Sequence, residues 1–597
     1  MFDNKAVLTI LAVIILYANC SFAQPPEDNW NDFLHYTKIG RFDLAAGYAQ
    51  ALLDSKPDAV QLLSFAEQNP EGYAILLKVH ETKPNPELAR LTENILKIIE
   101  QGRFDKRTDA SIIVDEIKRL SGTARGQLTA VKRLQNAGEY AIPHMIDALS
   151  DIERKDEMSN IIWALPQIGR DAIRPLAAAL QTEDVGIKAE IIKAMGKIGY
   201  PQSLPYLKYI VEKDQSQQLR SLAQNSIMEI NPAAAKMSAA QLFYQVAEKY
   251  YDHAESLAPA EDADFANIWF WDNSMRALAL EKVDKDYFYE LMAMRGCEWA
   301  LKADAAFGRA IGLWLAAFFQ AESTGIEMPN YFGTGHADAF VYATTSGPEY
   351  LHLALARALN DGNTYVALAA VEALAVTAGE QSLLSRIGPV QPLAQSLTYH
   401  DKTVRYSAAI AIAQAGPKQG FPEVRLIIEN LASALVETSE KTAQNNNTLS
   451  SELADSYAIR AANAMLKLAQ TRNKIVDLSA AQYALIEATK DKRLQIQILA
   501  GQTLAYINSA NAQIAIAAMA IAETNPMEVR LAAFDSLAVS AKINANLLDT
   551  AAINKIYAMV GSTDIDPELR GGAAIAFGSL NLPSQNVKDL ILDQAKN

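Results

Sequence analysis

The chain is 597 residues long and half hydrophobic, and its 69 acidic against 54 basic side chains give a formal charge of −15. That length is more than one hydrophobic core serves, so several domains or a repeat array are expected. A negative chain with no long Lys/Arg cluster repels phosphate backbones, which argues against nucleic acid as a partner, and abundant Ala with modest Gly and Pro points to helices.

Residues 1–23 read as a secretory signal peptide. Lys5 precedes an unbroken apolar run over 6–17, and Ser21-Phe22-Ala23 puts small residues where a signal peptidase reads, so cleavage between Ala23 and Gln24 is expected. The run is short for a transmembrane helix, which needs about 20 residues. Cys20 keeps a lipoprotein reading open, although Tyr17 and Asn19 stand where Leu and a small residue are expected. No second long apolar run follows. The expectation is therefore an exported chain, periplasmic or secreted, with no stable membrane span in its mature part. Cys297 is the only cysteine beyond the signal, so no internal disulfide is expected.

Residues 24–125 have helical periodicity and form an N-terminal cap domain in this reading. A helical hairpin is expected over 30–51, with Tyr36, Phe42, Leu44, Ala45, Tyr48 and Leu52 on apolar faces, and its Gly40-Arg41-Phe42-Asp43 turn looks like a tetratricopeptide corner.

Residues 126–232 repeat. Ile161-Ile162-x-Ala164-Leu165-x-x-Ile168-Gly169 recurs as Ile191-Ile192-x-Ala194-Met195-x-x-Ile198-Gly199, and Ala130-Val131-x-x-Leu134-x-x-Ala137-Gly138 is a weaker copy. The apolar spacing is one face of a helix, and each Gly suits a left-handed C-terminal cap. A second helix follows each Gly, opened by Pro143, Pro175 or Pro205 near its first turn, where the missing N–H has no intrahelical partner anyway. A helix–turn–helix unit with one apolar face per helix must stack on its neighbours.

Residues 336–597 repeat more loosely. Val404-Arg405-x-x-Ala408-Ala409 matches Val529-Arg530-x-Ala532-Ala533 and Leu569-Arg570-x-x-Ala573-Ala574, with Asp401 and Asp566 placed as N-caps. The recurring Arg405, Arg460, Arg530 and Arg570 read as partners of acids in adjacent repeats. Asn445-Asn446-Asn447-Thr448 reads as an exposed loop.

These segments resemble short, alanine-rich HEAT repeats of the phycobilin-lyase type, whose mark is the Asp-x-x-Val-Arg-x-x-Ala-Ala lead at 401–409. The resemblance implies an all-α fold, an α-solenoid of HEAT-like helical hairpins. It implies no single activity, because such arrays serve many roles.

Residues 233–335 depart from the repeat. Residues 266–271 have strand composition and can pair with 277–283 across Asp272-Asn273-Ser274, so a small β-hairpin inserted near 265–285 is expected. Two helices follow, with Ala293, Ala300, Gly308 and Ala316 in a tetratricopeptide-like packing pattern. Trp299-Ala300-Leu301 with Leu313-Trp314-Leu315-Ala316-Ala317, and Gly347-Pro348-Glu349-Tyr350-Leu351, are similar to a group of exported bacterial HEAT-repeat proteins. That likeness implies architecture and compartment.

The candidate binding surface is Trp269, Trp271, Tyr287, Tyr289, His336 and Asp338. The first four belong to an aromatic concentration that could serve a partner or merely pack the hairpin and its neighbouring helix. His336 and Asp338 lie in a Gly-rich loop that could carry a base or simply connect helices. Cys297 reads as a buried thiol. His80-Glu81 is the only His-Glu pair, whereas HEAT enzymes such as deoxyhypusine hydroxylase use several on successive repeats, so neither a metal nor another cofactor is expected. The expectation is a non-catalytic scaffold for a protein partner in the cell envelope. A lyase- or isomerase-like enzyme working in the solenoid groove and an envelope-associated structural protein are the alternatives.

Overall fold

A computed structural model describes residues 24–260, 263–333, 335–438 and 449–595. The expected signal peptide over residues 1–23 and the loop expected at Asn445–Thr448 lie outside the described residues. The fold is all-α, a solenoid of helical hairpins with one two-stranded antiparallel sheet among the described residues. Contacts divide the chain into two units. One holds the described residues of Met1–Leu242 with Ala258–Lys285, and the other holds Phe243–Leu257 with those of Asp286–Asn597.

The first unit opens with α1 (Pro26–Lys38) and α2 (Phe42–Asp54), turned by Gly40 at φ +75. Trp30 and Phe33 on α1 and Ala45, Ala49 and Leu52 on α2 are buried between them. Leu44 is exposed instead of facing that core, because it lies one residue off the i, i+4, i+7 stripe that begins at Ala45. The cap continues with α3 (Ala59–Gln68), α4 (Pro70–Thr82) and α5 (Pro86–Thr108). Asp58, Asn69 and Asn85 each accept a first-turn backbone N–H as N-caps.

Paired helices then stack: α6 (Ala110–Arg119) with α7 (Ala124–Ala137), α8 (Ala141–Ser150) with α9 (Lys155–Ala164), α10 (Ile173–Ala179) with α11 (Val185–Ile198), and α12 (Leu204–Lys213) with α13 (Gln217–Ile230). All three repeat glycines have positive φ, as a glycine-only position requires. Gly199 alone takes the left-handed helical cap. Gly138 and Gly169 combine positive φ with ψ of −128 and −147, and the chain runs from them through a 3₁₀ segment into the next helix.

The expected hairpin is present as β1 (Phe265–Asp272) and β2 (Ala277–Asp284), in a register that sets Trp269 opposite Leu280 and Trp271 opposite Leu278. It lies on α8 and α10, and Trp271, Leu278 and Leu280 pack on the repeat core.

The second unit contains most of α14 (Ala239–Tyr251), then α15 (Phe288–Ala303), α16 (Arg309–Ser323), α17 (Ala339–Ser346) and α18 (Pro348–Asp361). Ala293, Ala300 and Ala316 are buried, as the small-residue pattern requires. Two unforeseen glycines mark the tightest approaches. A Cβ on Gly296 would come within 2.8 Å of Ala247 Cβ, and one on Gly312 within 2.6 Å of Leu353 Cβ.

Beyond Thr364 the second helices of successive hairpins pack side by side: Thr364–Thr377, Lys402–Ala415, Ser451–Gln470, Leu494–Leu504, Met527–Asn544 and Pro567–Ser579. Asp401 and Asp566 cap two of them. The recurring arginines divide by role. Arg460 bonds both oxygens of Glu372 at 2.8 and 2.7 Å. Arg405, Arg530 and Arg570 donate instead to the carbonyls of Tyr399 and His400, Ala520, and Ser562. These carbonyls lie at or just beyond the ends of preceding helices, where orphan acceptors and the helix dipole favour a cation. Among the described residues no helix is long and apolar enough to cross a membrane.

Candidate functional site

The predicted residues fall into both units. Asn267, Trp269 and Trp271 alternate along β1 and so share the face turned to the repeats. Glu139, buried at the start of the 3₁₀ segment after α7, organises that contact. Its Oε2 accepts Trp269 Nε1–H at 2.8 Å, its Oε1 accepts Asn267 Nδ2–H at 2.7 Å, and Arg174 Nη2 lies 3.7 Å away. Asn267 Nδ2 also donates to the Tyr140 hydroxyl at 2.6 Å. Burying a carboxylate is costly unless it is paired and hydrogen-bonded. The network meets that requirement while fixing the hairpin to α8 and α10, so Trp269 is a packing and anchoring residue.

In the second unit Tyr287 is buried and its hydroxyl donates to the Glu327 carbonyl at 3.1 Å. Tyr289 stacks on His253 with ring centres 4.5 Å apart, and His253 Nε2 pairs at 2.7 Å with the buried carboxylate of Glu290. That bond raises the His253 pKa above its ordinary value. His336 Nδ1 faces the Ala337 carbonyl at 3.0 Å, while Asp338 accepts Val341 N–H at 2.8 Å as the N-cap of α17. The two side chains do not bond one another, and Trp269 belongs to the other unit. Cys297 is fully buried, and burial pushes its thiol well above the ordinary range. Among the described residues no three His, Cys, Asp or Glu side chains converge to hold a metal.

Sequence reasoning passed over a different feature, a cleft of about 840 Å³ in the first unit. It lies where the cap core, represented by Leu63, meets the repeat core, represented by Ile113, Leu134 and Ala137. Its rim is cationic. Arg103, Lys106 and Arg107 sit at i, i+3 and i+4 on α5, Arg119 closes α6, and Arg133 projects from α7. These outnumber the lining acids Glu67, Asp115 and Glu116 in a chain whose overall charge is strongly negative.

Asp109 explains the local geometry. It ends α5 in extended backbone and caps α6, accepting Ser111 and Ile112 N–H at 2.8 and 3.2 Å. The turn carries Glu116 into the interior, where only 4% of its side chain is exposed. Arg119 Nη1 at 2.8 Å and Arg133 Nη1 both donate to it. One buried acid thus holds two guanidinium groups in place. Lys106 pairs with Glu67 at 2.9 Å, Arg103 with Glu100 at 2.9 Å, and the Arg107 guanidinium lies 5.3 Å from the Tyr140 ring centre. The signal available in the sequence was the i, i+3, i+4 basic stripe on α5, which reads equally as a solvated helix face.

A family profile described as HEAT repeats matches residues 142–228. No curated protein matches the chain. Among solved structures, an engineered protein aligns at 15% identity over 88% of this chain and 99% of its own, with a TM-score of 0.28. The karyopherin Kap121p bound to the extreme C-terminus of the protein phosphatase Cdc14p aligns at 10% identity over 94% and 72%, with a TM-score of 0.25. Human deoxyhypusine hydroxylase aligns at 13% over 64% and 96%, with a TM-score of 0.20. Alignments this loose say nothing of what the chain binds or does. The repeat match falls on the same stacked hairpins, α8 to α13, that the geometry builds, so residues 142–228 are similar to HEAT repeats in both sequence and fold.

Proposed function

We propose that the chain is an exported, non-catalytic scaffold that holds a protein partner in the cell envelope. The observation that carries this reading is the cationic cleft set between the cap and the first repeats. It presents charges fixed by Glu67, Glu100 and Glu116 around an apolar floor, and its lining holds no histidine, cysteine or serine to act as base or nucleophile. Fixed charge at the rim of an apolar floor is a recognition surface. Export rests on the reading of residues 1–23. The enzyme reading gains nothing from His336 and Asp338, which are engaged with backbone.

The test is to recover the chain from envelope and cytosolic fractions after mild cross-linking, with its N-terminus determined. The expected result is an envelope form that starts at Gln24 and carries a reproducible polypeptide adduct. A cytosolic chain that retains Met1, or an envelope form with no adduct, contradicts the reading.

A further inference from the structure

The cleft specifies the chemistry of what it holds. Arg119 and Arg133 each use Nη1 on Glu116, and the guanidinium fork has further donors on Nε and Nη2. With 45% and 55% of these side chains exposed, those donors are open to an incoming acceptor. Arg103 and Lys106, on α5, are exposed to a similar degree. The spacing of the charges excludes a dense polyanion. Glu67, Asp115 and Glu116 are interspersed among the cations, so a continuous row of phosphates would meet carboxylates as well as guanidinium groups. The chain's charge of −15 adds long-range repulsion to that clash. Carboxylates spaced along a peptide can each meet one cation, and an apolar side chain between them can reach the exposed aliphatic side chain of Ile112, which borders a floor of the buried Leu63, Ile113 and Leu134.

We propose that this cleft binds an acidic, amphipathic segment of the partner protein, with its carboxylates on Arg103, Lys106, Arg119 and Arg133 and an aliphatic side chain against Ile112. The inference rests on the scaffold reading and names the kind of segment that the scaffold takes.

The test uses the chain from Gln24 onward and a library of capped peptides in which Asp and Glu alternate with Leu and Phe, each paired with its Asn/Gln counterpart. Acidic peptides should be enriched over their counterparts, and raising salt should weaken them about tenfold. The double variant Arg103→Glu with Lys106→Glu should lose about tenfold or more in affinity, because both side chains stand at the rim. Its neutral form, Arg103→Gln with Lys106→Gln, should lose less. These positions are chosen because replacing Arg119 or Arg133 strips Glu116 of a partner and threatens the fold. Lys418→Glu with Arg425→Glu, a charge reversal in the second unit, should change nothing, and thermal melts should show that all variants are folded.

Equal binding of acidic and neutral peptides overturns the inference, as does enrichment that the rim variants leave intact. Binding of anionic vesicles or single-stranded oligonucleotides in preference to the peptides, lost in the same variants, overturns it too. The natural adduct separates this inference from the reading beneath it. An adduct that persists in the rim variants while no acidic peptide binds removes the cleft inference alone, and absence of any adduct from the unaltered chain removes the scaffold.

Discussion

Glu139 shows how one residue can decide whether two distant segments stay together. It lies 128 positions before Asn267 and 130 before Trp269, and it accepts a bond from each. Glu139→Ala takes the carboxylate acceptor from the buried Trp269 indole N–H, removes one of the two bonds of the Asn267 amide and takes a carboxylate from beside Arg174, so it should cost about 2–4 kcal/mol. Trp269→Phe keeps most of the ring and removes one donor, so it should cost less, about 1–2 kcal/mol. Denaturant unfolding followed by protection of the β1 and β2 amides checks both. Two histidines give opposite pH dependences. His352 is buried, burial lowers its pKa, and its Nε2 bonds the Ser382 carbonyl. Its folded value lies below the unfolded value of about 6.5, so its contribution is whole above that pH and is lost as pH falls further. His253 is raised by its bond to Glu290, so its contribution is present below about 6.5 and is lost as pH rises through the raised value. Thermal melts from pH 5 to 8 should therefore show a weakened acid limb in His352→Leu and a weakened alkaline decline in His253→Gln.

At the scale of the element, close approach is set by glycine. A Cβ on Gly102, in α5, would stand 2.2 Å from the backbone oxygen of Ala59, in α3, and a backbone atom cannot rotate aside. Gly102→Ala gains about 1 kcal/mol of helix propensity but forces the helices apart at a cost of about 1–3 kcal/mol, so it should destabilise on balance. Gly47, within α2, has nothing within 4 Å of a built Cβ, and Gly47→Ala should stabilise by about 0.5–1 kcal/mol. Chemical denaturation of the two variants separates packing from propensity. Helices and the β-hairpin were legible because periodicity, caps and turn residues are local signals. The strand of 266–271 and the capping of Asp401 and Asp566 follow from neighbours in sequence. What the hairpin packs on does not, since the Glu139 contact needs the folded repeats. The arginine after Val404, Val529 and Leu569 was legible as structural, but three of the four recurring arginines bond carbonyls of the preceding turn rather than acids of a neighbouring repeat. The cationic cleft was missed because Arg103, Lys106 and Arg107 share a helix face with no sequence mark of the partners Arg119 and Arg133, which α6 and α7 bring to them.

For the molecule as a whole, a net charge of −15 sets a repulsive background for anions, and the cleft in the first unit reverses it locally. Such a contrast would steer the acidic partner proposed above to the cleft. The central claim is that this protein works by holding another protein. Site-specific photo-cross-linking in producing cells tests it most directly, with the cross-linker placed at Lys106 on the cleft rim and, for comparison, at Tyr483, which is 78% exposed in the second unit. The account predicts a discrete protein adduct from position 106 that Arg103→Glu diminishes and that position 483 does not give. No protein adduct from either position, or the same adducts from both, would contradict it.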